Sequence, residues 1–565
     1  MSLFTSLKLA GNSLQAAQIG LQVVGNNIAN ANTPGYIRQS VEFTSAPVQL
    51  IGTLPLGLGV RVQAIVQEVD KFLQERLRHA GSDLANGRAQ EEAYSQLEAI
   101  VGELSDTDLS TSLSDFFGSI QDVLNQPEDV AVRNLAVLRA ETLSGGIQRL
   151  ASRVRTVQQD ANQRIIATAD DINRLTNEIA DLNVKIAETE AGTTSHSDAV
   201  GLRDQREIAL KNLSEIIDIN TAEQSNGSIT VYVGGDFLVF EGNTREVKAV
   251  VESNAAFGKG EIQIAATDKP LPLTSGRLAG LVAARDEILG GFLEQLDTFS
   301  ATLIQEFNQL YTSGQGLVGH DRLTSEFAVS DTAAALDQAG LQYAPVNGSF
   351  QVQVYNTQTG LTRTTDVLVK LNGLDDDTSL ESLQQTLDAI DGISARINSS
   401  RKLVIEADSS VVQFAFARDT SGVLTALGVG GFFTGTGAGD IGISGVVKAN
   451  PAKFAASSGG IGADTDNAVL LGGFLDRALS SQSGASLATL YDRMTAGTTQ
   501  GAAVAKAVAE GFEVFQQTLD AQNMAISGVS IDEEAVKMIQ YQRSFQASAK
   551  FLSTISDLFD ILVNL

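Results

Sequence analysis

Residue types that usually carry chemistry are sparse here and poorly spaced for it. Three histidines, no cysteine and 67 acidic residues are spread over 565 positions. His79, His196 and His320 stand far apart and none falls in an H-E-x-x-H pattern, so no metal centre is expected. The run Asp375–Asp377 begins like a calcium loop. It lacks the loop glycine and has Thr386 where the closing glutamate belongs, so it reads as a turn into a helix. Without cysteine there is no thiol nucleophile, and no G-x-S-x-G elbow occurs. The glycine-rich "GVGGFFTGTGAGD" matches neither the dinucleotide loop nor the P-loop. Neither catalysis nor a cofactor is expected.

What remains is hydrogen-bonding chemistry without charge. The stretch "NNIANANTPGY", residues 26–36, places Asn26, Asn27, Asn30 and Asn32 around the apolar Ile28 and Ala31. Asparagine is a weak helix former, because its amide competes for nearby backbone groups. It can nevertheless bond to neighbouring chains, or cap a helix end, without the cost of burying an ion. Lys8 is the only charged side chain before Arg38. Pro34 and Gly35 suit the two central positions of a type II turn that stops the helix and redirects the chain.

The elements that must carry these amides are the two chain ends. Leu3, Leu7, Ala10, Leu14, Ala17, Leu21, Val24 and Ile28 follow alternating spacings of four and three, the seam of a coiled coil. Met538, Tyr541, Phe545, Ser548, Leu552, Ile555, Phe559 and Leu562 repeat the rule at the other end, with Ser548 the one polar member. Ser530 and Glu533 have capping-box spacing ahead of this second helix, and Ser527 with Gly528 forms a break before it. These seam residues, the four asparagines and the two turns are the candidate assembly contacts.

Between the ends, helical periodicity covers residues 70–102, 150–186, 202–217 and 278–310. The 150–186 stretch alone would be about 55 Å long. "SITVYVGGDFLVF" and "EIQIAA" alternate as strands, with "VGGD" as a hairpin turn. Composition shifts near Ala344: "GSFQVQVYNTQTG", "TTDVLVKLNG", "RKLVIEA" and "VVQFAFARD" read as strands around a short helix, residues 380–390, with Thr378 and Glu381 as its capping box. After Asn467 the pattern is helical again, with a second start near Thr498. This nesting predicts an elongated, multidomain α+β protein. A terminal helical coiled coil spans residues 1–58 and 527–565. A helix-rich middle domain with small β elements spans 59–343 and 440–526, and a β-rich outer domain is inserted at 344–439.

The formal net charge of −28 excludes nucleic acid and anionic membrane surfaces as natural partners. Zero cysteine leaves two readings open, a reducing compartment or use outside the cell without disulfides. The start "MSLFTSLKLAGNSLQAAQIG" does not read as a secretory signal, and no segment qualifies as a membrane span.

"NNIANANTPGY" resembles the N-terminal motif of the bacterial flagellar axial proteins, the rod, hook and hook-associated proteins. "GLGVRVQAIVQEVDKFLQERLR" is similar to the block that follows it, except that Gln67 and Val69 stand where a basic and an aromatic residue are expected. Within that family, "NTPGYIRQ", "GLRDQREIALKNLSEIIDI", the block Ser275–Tyr311 and the terminal "SGVSIDEEAVKMIQYQRSFQASAKFLSTISDLFDILVNL" resemble the hook-associated (FlgK) type at the hook–filament junction. "SLQQTLDAIDGISARI" resembles a module of flagellins and their relatives. The resemblance implies a structural, non-enzymatic protein outside the cell, exported through the flagellar type III channel without a cleaved signal. It implies a ring of copies at the hook tip, contacts with the hook protein and the second junction protein, and a chaperone on the C-terminal segment before export. Another axial protein, a surface adhesin and a wall hydrolase are the competing readings. The Ser275–Tyr311 block argues against the first. The second should bring a secretory signal or tandem β repeats, and the third an acid/base constellation.

Overall fold

A run of 27 residues with no acidic group and one lysine forms the first helix, α1 (Leu3–Ala29). The computed structural model describes residues 3–51, 54–102, 109–191, 197–252, 258–374, 376–462 and 464–563. His196 and Asp375 lie outside them. The later helices are α2 (Lys71–Gly102), α3 (Leu109–Asn125), α4 (Val130–Ala191), α5 (Val200–Ile216), α6 (Gly276–Ala283), α7 (Gly290–Tyr311), α8 (Leu380–Asp388), α9 (Val423–Leu427), α10 (Gly445–Ala449), α11 (Asp466–Gly472), α12 (Leu487–Ser527) and α13 (Ile531–Val563). The chain is an α+β protein of two compact units, one comprising Met1–Ala93, Gln159–Arg285 and Ala503–Leu565, the other Tyr94–Gln158 and Asp286–Ala502.

In the first unit, α4 contributes Ile165, Ile172, Leu175 and Ile179 to a core shared with Leu210 and Leu213 of α5 and Leu278 and Leu281 of α6. Val231, Val233, Leu238 and Val239 cover it from the hairpin Ile229–Val233/Asp236–Phe240, turned through Gly234 at φ +59°. Residues 247–252, 259–264 and 269–270 form a second, antiparallel sheet. Strand Gln39–Ser45 pairs antiparallel with Val60–Gln67, with a register shift between Glu42 and Phe43.

Asparagines on α4 attach these strands to the helix by one repeated device. Asn183 donates to the Ile229 carbonyl at 2.7 Å and accepts from the Ile229 N–H at 2.9 Å. Asn173 does the same to Val247, at 2.8 and 2.9 Å. Asn162 donates to Gly258 O and accepts from Gly260 N. A primary amide presents the donor–acceptor pair of a peptide group, so it satisfies the start of a strand that lacks a partner there.

In the second unit, Phe116 and Phe117 of α3, Phe307 and Tyr311 of α7, and Phe432, Phe433, Phe454 and Phe474 form one chain of ring contacts, neighbouring centroids 4.9–6.3 Å apart. Asn308 repeats the amide device, donating to Phe433 O and accepting from Phe432 N and Phe433 N. A separate β-rich core runs from Leu323 to Val429. It is built on the sheet 362–369/348–356/412–417, the sheet 322–324/403–407/393–397, and Leu380, Leu383 and Leu387 of α8.

Four local expectations change. The helix expected from Leu150 begins at Val130, because Arg133, Ala136, Ala140, Leu143 and Ile147 continue its buried face across Gly145–Gly146. Thr498 starts nothing. It lies inside α12 and bonds the Met494 carbonyl, which lets a hydroxyl persist within a helix. The cap of α8 is Ser379 with Ser382, while Thr378 accepts from Lys370 N and Glu381 bonds Thr332. The 278–310 stretch is interrupted by a π-helical segment, Ala284–Leu289, which turns Arg285 inward to Asn162 and Gly260 O.

Candidate functional site

The terminal helices pack antiparallel: Phe4 meets Phe559 edge-on at 5.3 Å, Gly20 faces Tyr541, and Asn27 bonds Glu534. On α13 the four–three seam positions face inward, together with Glu534 one turn before them. Ile555 is buried, and Met538, Tyr541, Phe545, Leu552 and Phe559 are half-buried. The Leu562 side chain lies outside the described residues. On α1 the buried positions are Thr5, Ala10, Ala16, Ala17, Gly20, Val23, Val24 and Asn27, whereas Leu3, Leu14, Leu21 and Ile28 are half-buried and Leu7 is exposed. Small residues occupy the interior because α1 is approached from two sides. α13 is one, and the 39–67 strand pair is the other, where Asn12 donates to Leu58 O and Leu9 lies against Gly59.

Asn27 is the centre of the site and is fully buried. Its amide donates to the Gln39 carbonyl and to Glu534 Oε2, both at 2.9 Å. Its oxygen accepts from Gln39 N at 3.0 Å and from the Tyr36 hydroxyl at 2.8 Å. Glu534 is also fully buried, and its other oxygen accepts from Lys537 at 2.8 Å. Burial, with the charges of Asp204 and Glu534 adding to it, pushes the Tyr36 hydroxyl up to about 12, so it stays a donor. Asn26 reaches Tyr36 and Gln39 at 3.4 Å, and Asn30 folds back on Asn26. Asn32 is exposed.

The Thr33–Tyr36 turn closes with Tyr36 N on Thr33 O at 3.2 Å, with Pro34 and Gly35 central and Gly35 at φ +78°. Replacing Gly35 with alanine is expected to cost about 1–2 kcal/mol, since an L-residue there is strained. Local hydrogen exchange around Tyr36 checks this, and unchanged protection would remove the turn's role. The exit of the turn is tied down at three points. Arg38 N donates to the Ser527 carbonyl at 2.9 Å, Arg38 pairs with Glu533 at 3.0 Å, and the Ile37 N–H bonds the Asp204 carboxylate. Burial raises Asp204 to about 6, partly offset by the bonds from Ile37 and from Gln67, whose amide lies 2.6 Å away. Gln67, placed where a cation was expected, therefore meets the carboxylate with an amide.

The capping box at Ser530 is only half made. Glu533 N donates to the Ser530 hydroxyl at 3.4 Å, but the Glu533 side chain is drawn to Arg38 instead of returning to the cap. Gly528 admits no side chain, since a Cβ there would meet the Met524 carbonyl. A cleft of about 770 Å³ opens beside these turns, between Pro34, Leu77, Ile208 and Met524. Farther along α13, Val536, Ile539, Phe551, Leu558 and Ile561 form an exposed apolar face on the side away from α1. Among the described residues no group of three or more His, Asp or Glu could hold a metal, and no helix is long and apolar enough to cross a membrane.

Comparison with known proteins follows the same layout. Residues 94–324 match the family model "Flagellar hook-associated protein FlgK helical domain". Residues 7–36 match "Flagella basal body rod protein", and residues 521–565 match "Flagellar basal body rod FlgEFG protein C-terminal". The flagellar hook-associated protein 1 of Salmonella typhimurium is 26% identical over 98% of this chain and 99% of its own length. That of Escherichia coli is 25% identical over 98% of each. The solved flagellar hook junction protein FlgK from Burkholderia pseudomallei shares the fold, with TM-score 0.50 and 16% identity, over 80% of this chain and all of its own.

Proposed function

We propose, from the premise that the chain belongs to the hook-associated structural proteins of the bacterial flagellum, that it assembles as a ring at the hook tip and joins hook to filament through α1 and α13. The observation that carries this reading is the antiparallel terminal pair, closed on one side by Asn27, Gly20 and Tyr541 and exposing Val536, Ile539, Phe551, Leu558 and Ile561 on the other. Packing against α1 leaves these side chains uncovered, and exposed apolar residues gathered on one helix face fit contact with other subunits. The hook protein, the second junction protein and further copies of the chain are its partners in this reading. An export chaperone covers the C-terminal segment before passage through the type III channel, without signal cleavage. The domain scheme of the sequence reading is part of the proposal, with residues 344–439 outside the tube contacts.

Deletion of residues 2–30 is expected to abolish swimming and the hook–filament junction in a complemented null strain. The middle fold should survive, because the core around Ile172 and Leu210 uses no residue of that segment. Junctions still formed by the truncated protein would defeat the proposal. Immunogold label along the whole filament, instead of at the hook end, would also defeat it.

A further inference from the structure

Backbone bonds in one segment, here called the neck, join the β-rich core of the second unit to its helices. Gln315 and Ser457 exchange backbone bonds at 2.8 and 2.9 Å, and His320 and Phe414 do so at 2.7 and 2.9 Å. Leu317 N adds a bond to the Ala452 carbonyl at 2.8 Å. The buried Gln315 amide donates to Phe416 O at 2.7 Å and accepts from Gly460 N at 3.1 Å. Two side-chain atoms in this otherwise well-satisfied neck, His320 Nδ1 and Thr312 Oγ1, have no hydrogen-bond partner among the described residues, and both are buried. Both residues line one small, largely enclosed cavity, together with Gly314, Gly316 and Gly430. The cavity has about 10 Å³ of room for a water's centre. That is about the space of a single water, which needs two or more polar partners to be held.

We infer that this cavity is a binding site for one internal water, held between His320 Nδ1 and Thr312 Oγ1, and that the water completes the hydrogen bonding of the neck. An unpartnered buried imidazole nitrogen and an unpartnered hydroxyl would each carry the cost of desolvation, and one water removes both costs. The surroundings of the imidazole favour its uncharged form. The groups facing it are Lys453 and Asp321, paired to each other, and Tyr311, whose hydroxyl accepts from Ala455 N. Arg133 acts on Tyr311 and donates to the Phe454 carbonyl at 2.5 Å. Burial, reinforced by Lys453, lowers His320 from 6.5 to about 4. Because the folded value lies below the ordinary one, this group's contribution is whole above about pH 6.5. It is lost as pH falls toward 4.

The full chain offers a direct test, since it holds only three histidines. With ring-labelled histidine, the His320 signal is expected to remain neutral down to about pH 4. A crystallographic map should show one peak about 2.7–3.2 Å from both Nδ1 and Oγ1. Thr312→Val should speed amide exchange at Gln315, Leu317 and Ser457 by about tenfold, the effect of losing about one buried hydrogen bond. Thr312→Ser, which keeps the hydroxyl, should leave it unchanged. A dry cavity, a His320 that titrates near 6.5, or equal exchange in the two variants would overturn the inference.

Discussion

Replacing Asn27 with leucine is expected to cost about 3–5 kcal/mol in the terminal region and to abolish swimming. The side chain is fully buried and makes four bonds, so leucine takes a partner from four polar groups at once. The Gln39 N–H and carbonyl lose their match at the start of a strand. The Tyr36 hydroxyl, held protonated by its surroundings, loses its acceptor. Glu534 keeps only Lys537, and a buried carboxylate stripped of a donor is costly. Leucine is larger and apolar, so it cannot relieve this by collapse or by admitting water. Hydrogen exchange of α1 and α13 in the full chain measures the loss. Protection within a few tenths of a kcal/mol of the parent would show that Asn27 does not hold the junction. Asn30→Leu is the matched control: Asn30 bonds only its own helix and Thr33, so its loss should cost less than about 1 kcal/mol.

The contrast between these two asparagines shows what a linear reading can reach. The four–three seam of α13 is legible because α1 is the main partner of that helix, so the buried stripe is narrow and has the period of a coiled coil. The same rule on α1 identified Ala10, Ala17 and Val24 but missed Ala16, Gly20 and Val23. There a second contact, the 39–67 strand pair, widens the buried face. Small residues at such places carry little hydrophobic signal in sequence, although they permit the closest approach. The asparagines stood out by number, not by role. Sequence alone allows all four directional bonds to neighbouring chains, yet Asn27 is spent within the chain, on a strand that begins twelve residues later. Nothing local distinguishes it from Asn26. The distinction comes from which face of α1 meets strand Gln39–Ser45, a tertiary fact.

Helix α4 follows the same logic. Its periodic apolar half, from Leu150, was readable. Its first part is not, because Arg133, Ser144 and two alanines share the buried positions with Val137, Leu143 and Ile147, and Gly145–Gly146 interrupts the propensity. Arg133 is tolerated there by donating to the carbonyls of Pro127 and Phe454, which no spacing rule reveals. The asparagines of α4 likewise look like solvent-facing residues until the strands they complete are in place. Local chemistry that closes on itself, such as the Pro34–Gly35 turn and the Gly234–Gly235 hairpin, needed no such context.

Substitutions at Gly20 are expected to separate α1 from α13 in proportion to size, with alanine mild and leucine severe. A Cβ at this position would fall 2.8 Å from Cε1 and Cζ of Tyr541, closer than a real contact allows. The Tyr541 ring must move for even one methyl group, and it is backed by Phe43 at a centroid distance of 6.2 Å. Alanine regains some helix propensity over glycine, about 1 kcal/mol, which offsets part of the clash. Leucine adds three more carbons with nowhere to go, and overpacking of this kind costs about 1–3 kcal/mol. If the clash with Tyr541 is the cause, Tyr541→Ala should cost stability alone and restore it in the Gly20→Leu background. The two changes would then couple by about 1 kcal/mol or more in a double-mutant cycle read by exchange of the α13 amides. Purely additive costs would mean that the helices do not approach at Gly20 and would reject the register Gly20–Tyr541 and Asn27–Glu534. Swimming should follow the same order, lost with Gly20→Leu and regained in part with Tyr541→Ala, because the exposed apolar face of α13 is positioned only while its seam is closed on α1.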